Sequence, residues 1–216
     1  MIAILRYAFL KNMRDGSLAA FVLGPFIMLT APLLGAAAFT KGLLVFPLSF
    51  EPQWSPARSA AGIAPVTVFV ATLFAALAGF WGFRGEIISR SMGSFMLAVR
   101  PVKIQIASTL FGAAAGFAGY ILTSVSLFSL MAALPPHPVH LVTDAAILCL
   151  FGAASGSLVV ILSSEPWAIV PLFLFGMVVV FWLSKMRGGM PEPVGLVLSI
   201  ICVAVSAFFL ERRCAT

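Results

Sequence analysis

Charged side chains are scarce in this sequence, so those able to do chemistry stand out. Lys and Arg together number 13 and Asp and Glu 7 among 216 residues. The densest collection lies between Phe83 and Gln105, F-R-G-E-I-I-S-R-S-M-G-S-F-M-L-A-V-R-P-V-K-I-Q, which holds Arg84, Glu86, Arg90, Arg100 and Lys103. Apolar runs flank it on both sides, so it must sit outside the hydrocarbon. Ionic groups gathered in such a stretch suit contact with a soluble partner.

Other reactive side chains are isolated. His137 and His140 stand three positions apart in a proline-rich turn, with no acid or cysteine beside them. Zinc sites take three or four ligands, so no metal is expected there. Asp144 and Glu165 fall near the ends of apolar runs. Intramembrane acids are functional candidates, but both are within reach of an interface, where a snorkelled or capping acid is the plainer reading. Cys149, Cys202 and Cys214 form no CxxC pair and read as free thiols. Neither G-x-x-x-x-G-K-[ST] nor H-E-x-x-H occurs. The chain is therefore not expected to be an enzyme or to carry a cofactor.

The elements that hold these groups follow from composition. Hydrophobic residues make up 62%, charged residues 9%, and the mean hydropathy is +1.12. A soluble domain carries about 25% charged residues and could not hide this much apolar surface. The implied fold class is all-α and polytopic, one transmembrane domain over 1–216, because runs of about 20 apolar residues suit membrane helices. The formal charge of +6 does not call for nucleic acid, since basic residues collect in cytoplasmic loops of membrane proteins.

Residues 1–16 set Ile2, Leu5, Phe9 and Met13 at spacings of three and four, which predicts an amphipathic interfacial helix. No cleavage site follows it, so it reads as retained rather than as a signal peptide. Six spans are predicted at about Leu18–Phe39, Ile63–Phe83, Ile104–Leu134, Val142–Ser163, Trp167–Leu183 and Val194–Leu210. Pro135–His140 reads as a stiff turn. Alternate loops carry nine basic residues on one side and four on the other. The excess predicts both termini, and the segment 84–103, on the cytoplasmic side of the inner membrane.

Within the central segment, Ile87, Ile88, Met92, Phe95, Met96 and Val99 recur at helical spacing, and Pro101 should end the helix. Such a helix joined to two spans could pass a push from a soluble partner into the membrane. An ordinary basic loop would share its composition. Gly112, Gly116 and Gly119 form one small-residue face, and Gly152 and Gly156 a second. Either could pack within the monomer or against another copy.

The amphipathic start, Pro25 in the first span, a charged segment with Glu, Gly and then R-P-V between spans two and three, and six spans in all resemble the type-2 ATP-binding cassette exporter permeases. That resemblance implies a cytoplasmic coupling helix at 84–103, with Arg84, Glu86, Arg90, Gly93, Arg100, Pro101 and Val102 as ATPase-coupling positions. Glu86 stands seven residues before Gly93, farther than the family spacing, and Ser94 replaces the common Thr. The implied partners are a separate cytoplasmic ATPase carrying ATP and Mg, and a second permease copy or related permease within the bilayer. The expected function is export of a hydrophobic or amphipathic substrate. A proton-coupled secondary transporter using Asp144 or Glu165, and a non-transporting membrane scaffold, are the alternatives.

Overall fold

A computed structural model describes residues 1–40, 56–84, 100–131, 137–163 and 191–215, with short pieces at 168–169, 173–174 and 176–178. Every regular element among them is helical. The long helices are α1 (Ile2–Arg14), α2 (Ser17–Thr40), α3 (Pro56–Gly82), α4 (Pro101–Met131), α5 (Pro138–Leu162) and α6 (Pro191–Ala215). Among the described residues four segments are long and apolar enough to cross a bilayer: Ile63–Gly82, Pro101–Ser129, Pro138–Leu162 and Pro193–Arg212. Ser17–Ala31 is a shorter apolar stretch.

Helix ends differ from the sequence expectation where polar residues were read as stops. Pro138–His140 is not turn but the first turn of α5, because proline at a first helical position lacks only an N–H that would be unpaired anyway. His137 before it takes a left-handed backbone, φ 52°. Helix α4 begins at Pro101, ahead of Lys103 and Gln105, rather than at Ile104. Helix α6 continues through Glu211 and Arg212 instead of ending at Leu210. Charge stops a span but not a helix, since the backbone bonds close within the segment at any depth.

The interior is built on α3, which packs most extensively against α5 and then α4, while α2 lies on α4 and α6 on α5. Close approach comes from small residues. A Cβ on Gly79 would strike the Ala153 carbonyl, one on Gly112 would lie 2.7 Å from the Gly79 nitrogen, and one on Gly116 2.5 Å from the Ala75 Cβ. Helices α3 and α4 therefore run antiparallel. Two hydroxyl contacts tie the same triad: Ser108 donates to the Gly79 carbonyl at 3.1 Å, and Thr109 and Ser157 oxygens lie 3.4 Å apart. Most other buried hydroxyls bond back one turn, as Thr72 does to the Val68 carbonyl and Thr123 to the Gly119 carbonyl, which removes unpaired donors where no water can reach.

Candidate functional site

The basic end of the bundle is assembled from α1, the end of α3 and the start of α4. Helix α1 packs on both α4 and α2. It has a buried stripe of Ile4, Ala8 and Asn12, whereas Ile2, Phe9 and Met13 are exposed. Leu5 is half-buried against the core. At 100° per residue the exposed apolar trio occupies one arc, and Arg6 and Arg14, also exposed, occupy the arc beyond it. The helix thus presents one face to protein, one exposed apolar face and one exposed basic face.

Its junction with α2 is held by polar bonds. Asn12 Nδ2 donates to the Ala8 carbonyl at 2.7 Å, and the Ser17 hydroxyl donates to Asn12 Oδ1 at 2.7 Å. Gly16 makes the turn between the two helices with φ +71°, a conformation that favours glycine. The turn at Gly16 and Ser17 is expected from the sequence, but the Asn12 hydrogen bonds are not. The signal for them was present in the spacing of Ile4, Ala8 and Asn12, one turn apart on the less apolar side of the helix.

Where the chain leaves α3, the Tyr7 ring stacks on Phe83 with centroids 6.4 Å apart. The Arg84 guanidinium lies 4.9 Å from the Trp81 ring centroid and 5.3 Å from that of Phe80. Where the chain returns, Arg100 is exposed, Pro101 opens α4, and the Lys103 amide bonds to the Arg100 carbonyl at 2.9 Å. Val102 is 48% exposed although Ile104 and Gln105, directly after Lys103, are buried. Gln105 Oε1 has no hydrogen-bond partner there. A Cβ on Gly82 would lie 3.3 Å from Ser108 Oγ, so exit and return sit at one level of the bundle. Of the anticipated coupling residues, Arg84, Arg100, Pro101 and Val102 thus flank one end. Glu86, Arg90 and Gly93 lie outside the described residues.

The glycine faces are occupied inside the chain. Gly112 and Gly116 meet α3, and Gly119 lies against α2, where an added Cβ would be 3.0 Å from Pro25 Cγ and the Val22 carbonyl oxygen. Cβ atoms on Gly152 and Gly156 would strike the Thr72 and Ala76 carbonyls of α3.

His137, His140 and Asp144 stay apart from this end. His137 and His140 are exposed at the start of α5, rings 6.1 Å apart, and Asp144 is half-buried one turn on. Among the described residues no group of three His, Cys, Asp or Glu could hold a metal ion. Glu165 lies outside the described residues. Cys149 is buried and Cys202 half-buried, both as free thiols.

One surface feature was also missed. An open apolar groove of about 500 Å³ runs along α2, lined by Ala20, Leu23, Gly24, Ile27 and Met28 with Phe74 of α3 at its back. A Cβ on Gly24 would strike the Phe74 ring, so glycine is what lets the ring lie against α2.

No family model matches the chain, and neither a curated protein nor a solved structure is similar to it. What is shown is a polytopic, all-helical membrane protein with a basic end framed by Arg84 and Arg100.

Proposed function

We propose that the chain is the membrane-spanning permease subunit of an ATP-driven exporter, docked by a separate cytoplasmic ATPase along residues 84–103. The observation that carries this reading is the anchored start of α4. Ile104 and Gln105 are buried directly after exposed Arg100, Val102 and Lys103. Helix α4 then continues for 31 residues and packs on α2, α3, α5 and α6. A force applied to Arg100–Lys103 would be carried by one unbroken helix into most of the bundle. Tyr7 on Phe83 would link α1 to the same load.

Six crossings fit the packing. Helix α5 ends at the basic end, since Ser157 meets Thr109 in α4. Helix α6 begins at the opposite end, since its Gly195 approaches Ile147 and Leu148 in the first half of α5. On this reading the chain crosses between them, and Phe173 packs on Phe69 midway along α3 at 5.6 Å. An even count sets both termini on the basic, cytoplasmic side of an inner membrane.

ATP and Mg²⁺ belong to the ATPase, whose closure would have to favour one arrangement of the spans energetically. A second permease, identical or related, would complete the pathway. The apolar and small residues of the spans suit a hydrophobic or amphipathic cargo.

The test is to look for a Walker-type ATPase in the reading frames beside this gene and to co-purify it with the chain. Replacing 84–103 with a neutral linker should abolish capture, and Arg100→Glu should weaken it. Equal capture by the linker variant defeats the reading. Transport driven by a pH gradient without nucleotide, and lost in Asp144→Asn, would favour the proton-coupled alternative instead.

A further inference from the structure

Helix α1 lies level with the end of a span. Ile63–Gly82 stops one residue before Phe83, on whose ring Tyr7 stacks, and α2 leaves α1 through the turn at Gly16. The side of α1 turned to the bundle is narrow, with Ile4, Ala8 and Asn12 as its buried residues. Ile2, Phe9, Leu10 and Met13 stand clear of the protein, Ile2 at 84% exposure.

Helical geometry sets cations among these side chains. At about 100° per residue, Arg6 falls between Met13 and Leu10 around the axis, one turn from Ile2, Phe9 and Leu10. Arg14 stands one turn from Leu10. Both arginines are exposed, and neither forms an ion pair among the described residues. Asp15 is the one acid in residues 1–16. An arginine carried beside an apolar arc can lay its stem along that surface and keep its guanidinium at headgroup level. The anion it meets there is a lipid phosphate.

We infer that α1 is a docking surface for a leaflet of anionic phospholipid. Ile2, Phe9, Leu10 and Met13 enter the acyl boundary, and Arg6 and Arg14 hold headgroup phosphates beside them. A zwitterionic headgroup brings its own cation, whereas an anionic leaflet attracts basic residues held near it. A soluble acidic partner would leave four apolar side chains in water, and a second copy would set cations against cations. The bundle-facing stripe holds three residues, one of them alanine and one polar, so lipid contact carries much of what keeps α1 seated. Nothing in this depends on an ATPase.

The full chain is reconstituted into nanodiscs of phosphatidylcholine, with or without an equal share of phosphatidylglycerol, and amide exchange is followed in Ile2–Arg14 and in α5. Exchange in Ile2–Arg14 should be slower with phosphatidylglycerol present, and α5 should not respond. Arg6→Gln and Arg14→Gln should each shrink that difference by about fivefold, the effect of one cation worth about 1 kcal/mol at a membrane surface. Salt at about 1 M, where the screening length is about 3 Å, should shrink it for wild type. Phe9→Ser should quicken exchange of α1 in both lipids. Unchanged exchange in α5 shows that each variant is folded. Equal exchange of wild-type α1 in the two lipids overturns the proposal, as does a difference that survives in the double variant Arg6→Gln/Arg14→Gln, or unchanged exchange in Phe9→Ser. Efficient cross-linking between copies through Phe9→Cys would make a second chain the occupant and overturn it as well.

Discussion

A glycine in this bundle is as consequential as a charge. At Gly156 the added methyl of alanine would strike the Ala76 carbonyl of α3, so a backbone must shift. Such overpacking costs about 1–3 kcal/mol, more than the roughly 1 kcal/mol that alanine gains over glycine in helix propensity. Gly156→Ala should therefore lower the thermal transition in detergent. Gly195→Ala meets only the Ile147 Cγ2 at 3.1 Å, a side-chain methyl that can move. Propensity should win there, leaving the transition unchanged or raised. If both variants behave alike, the α3–α5 crossing is looser than its geometry. The five glycines were legible from spacing alone, because a small-residue face has a fixed period. Their partners were not: the spacing is the same whether the facing helix belongs to this chain or to another. Nor could spacing reveal that Gly24 answers to a single aromatic ring, since Phe74 lies fifty positions away.

At the scale of elements, α1 shows what periodicity gives and what it withholds. The stripe Ile2, Leu5, Phe9 and Met13 predicts a helix, and a helix forms. In water that stripe would face the protein core. In a bilayer lipid is as apolar as leucine, so Ile2, Phe9 and Met13 remain exposed and the protein-facing stripe is Ile4, Ala8 and Asn12. Docking of α1 thus rests on close packing and on the Asn12–Ser17 bond rather than on its most apolar face. Asn12→Ala removes the bond to the Ala8 carbonyl and leaves the Ser17 hydroxyl without its Asn12 Oδ1 acceptor, a loss of about 1–2 kcal/mol. Amide exchange in Ile2–Arg14 should then quicken about 5–30-fold, with exchange in α5 unchanged. Uniform acceleration through the chain would mean instead that Asn12 supports the whole bundle. The central segment is the opposite case: its charge marked it at once, but an interfacial helix and a basic loop share one composition. Its two ends, Arg84 and Arg100, are what the fold now fixes.

For the whole molecule, composition decides the solvent, and a bilayer leaves helices as the elements expected for this sequence. It does not decide how many times the chain crosses. Among the described residues four segments meet length and hydropathy together. Packing supplies the missing constraint, because α5 ends where α4 begins and α6 starts beside the first half of α5. The proposed six-span arrangement has the chain cross between those two points. Single cysteines in a background lacking Cys149, Cys202 and Cys214 should report it through a membrane-impermeant maleimide. Arg14→Cys, and Cys214 restored alone, should label only in vesicles that expose the basic side, and Gly189→Cys only in vesicles of the opposite sense. Labelling of Gly189→Cys from the same side as Cys214 would make the stretch after α5 a re-entrant loop. The crossing number would then be even only if α6 also failed to span, and its exposed Leu196, Ile200, Ile201 and Phe208 would have to lie along the interface instead of within the hydrocarbon.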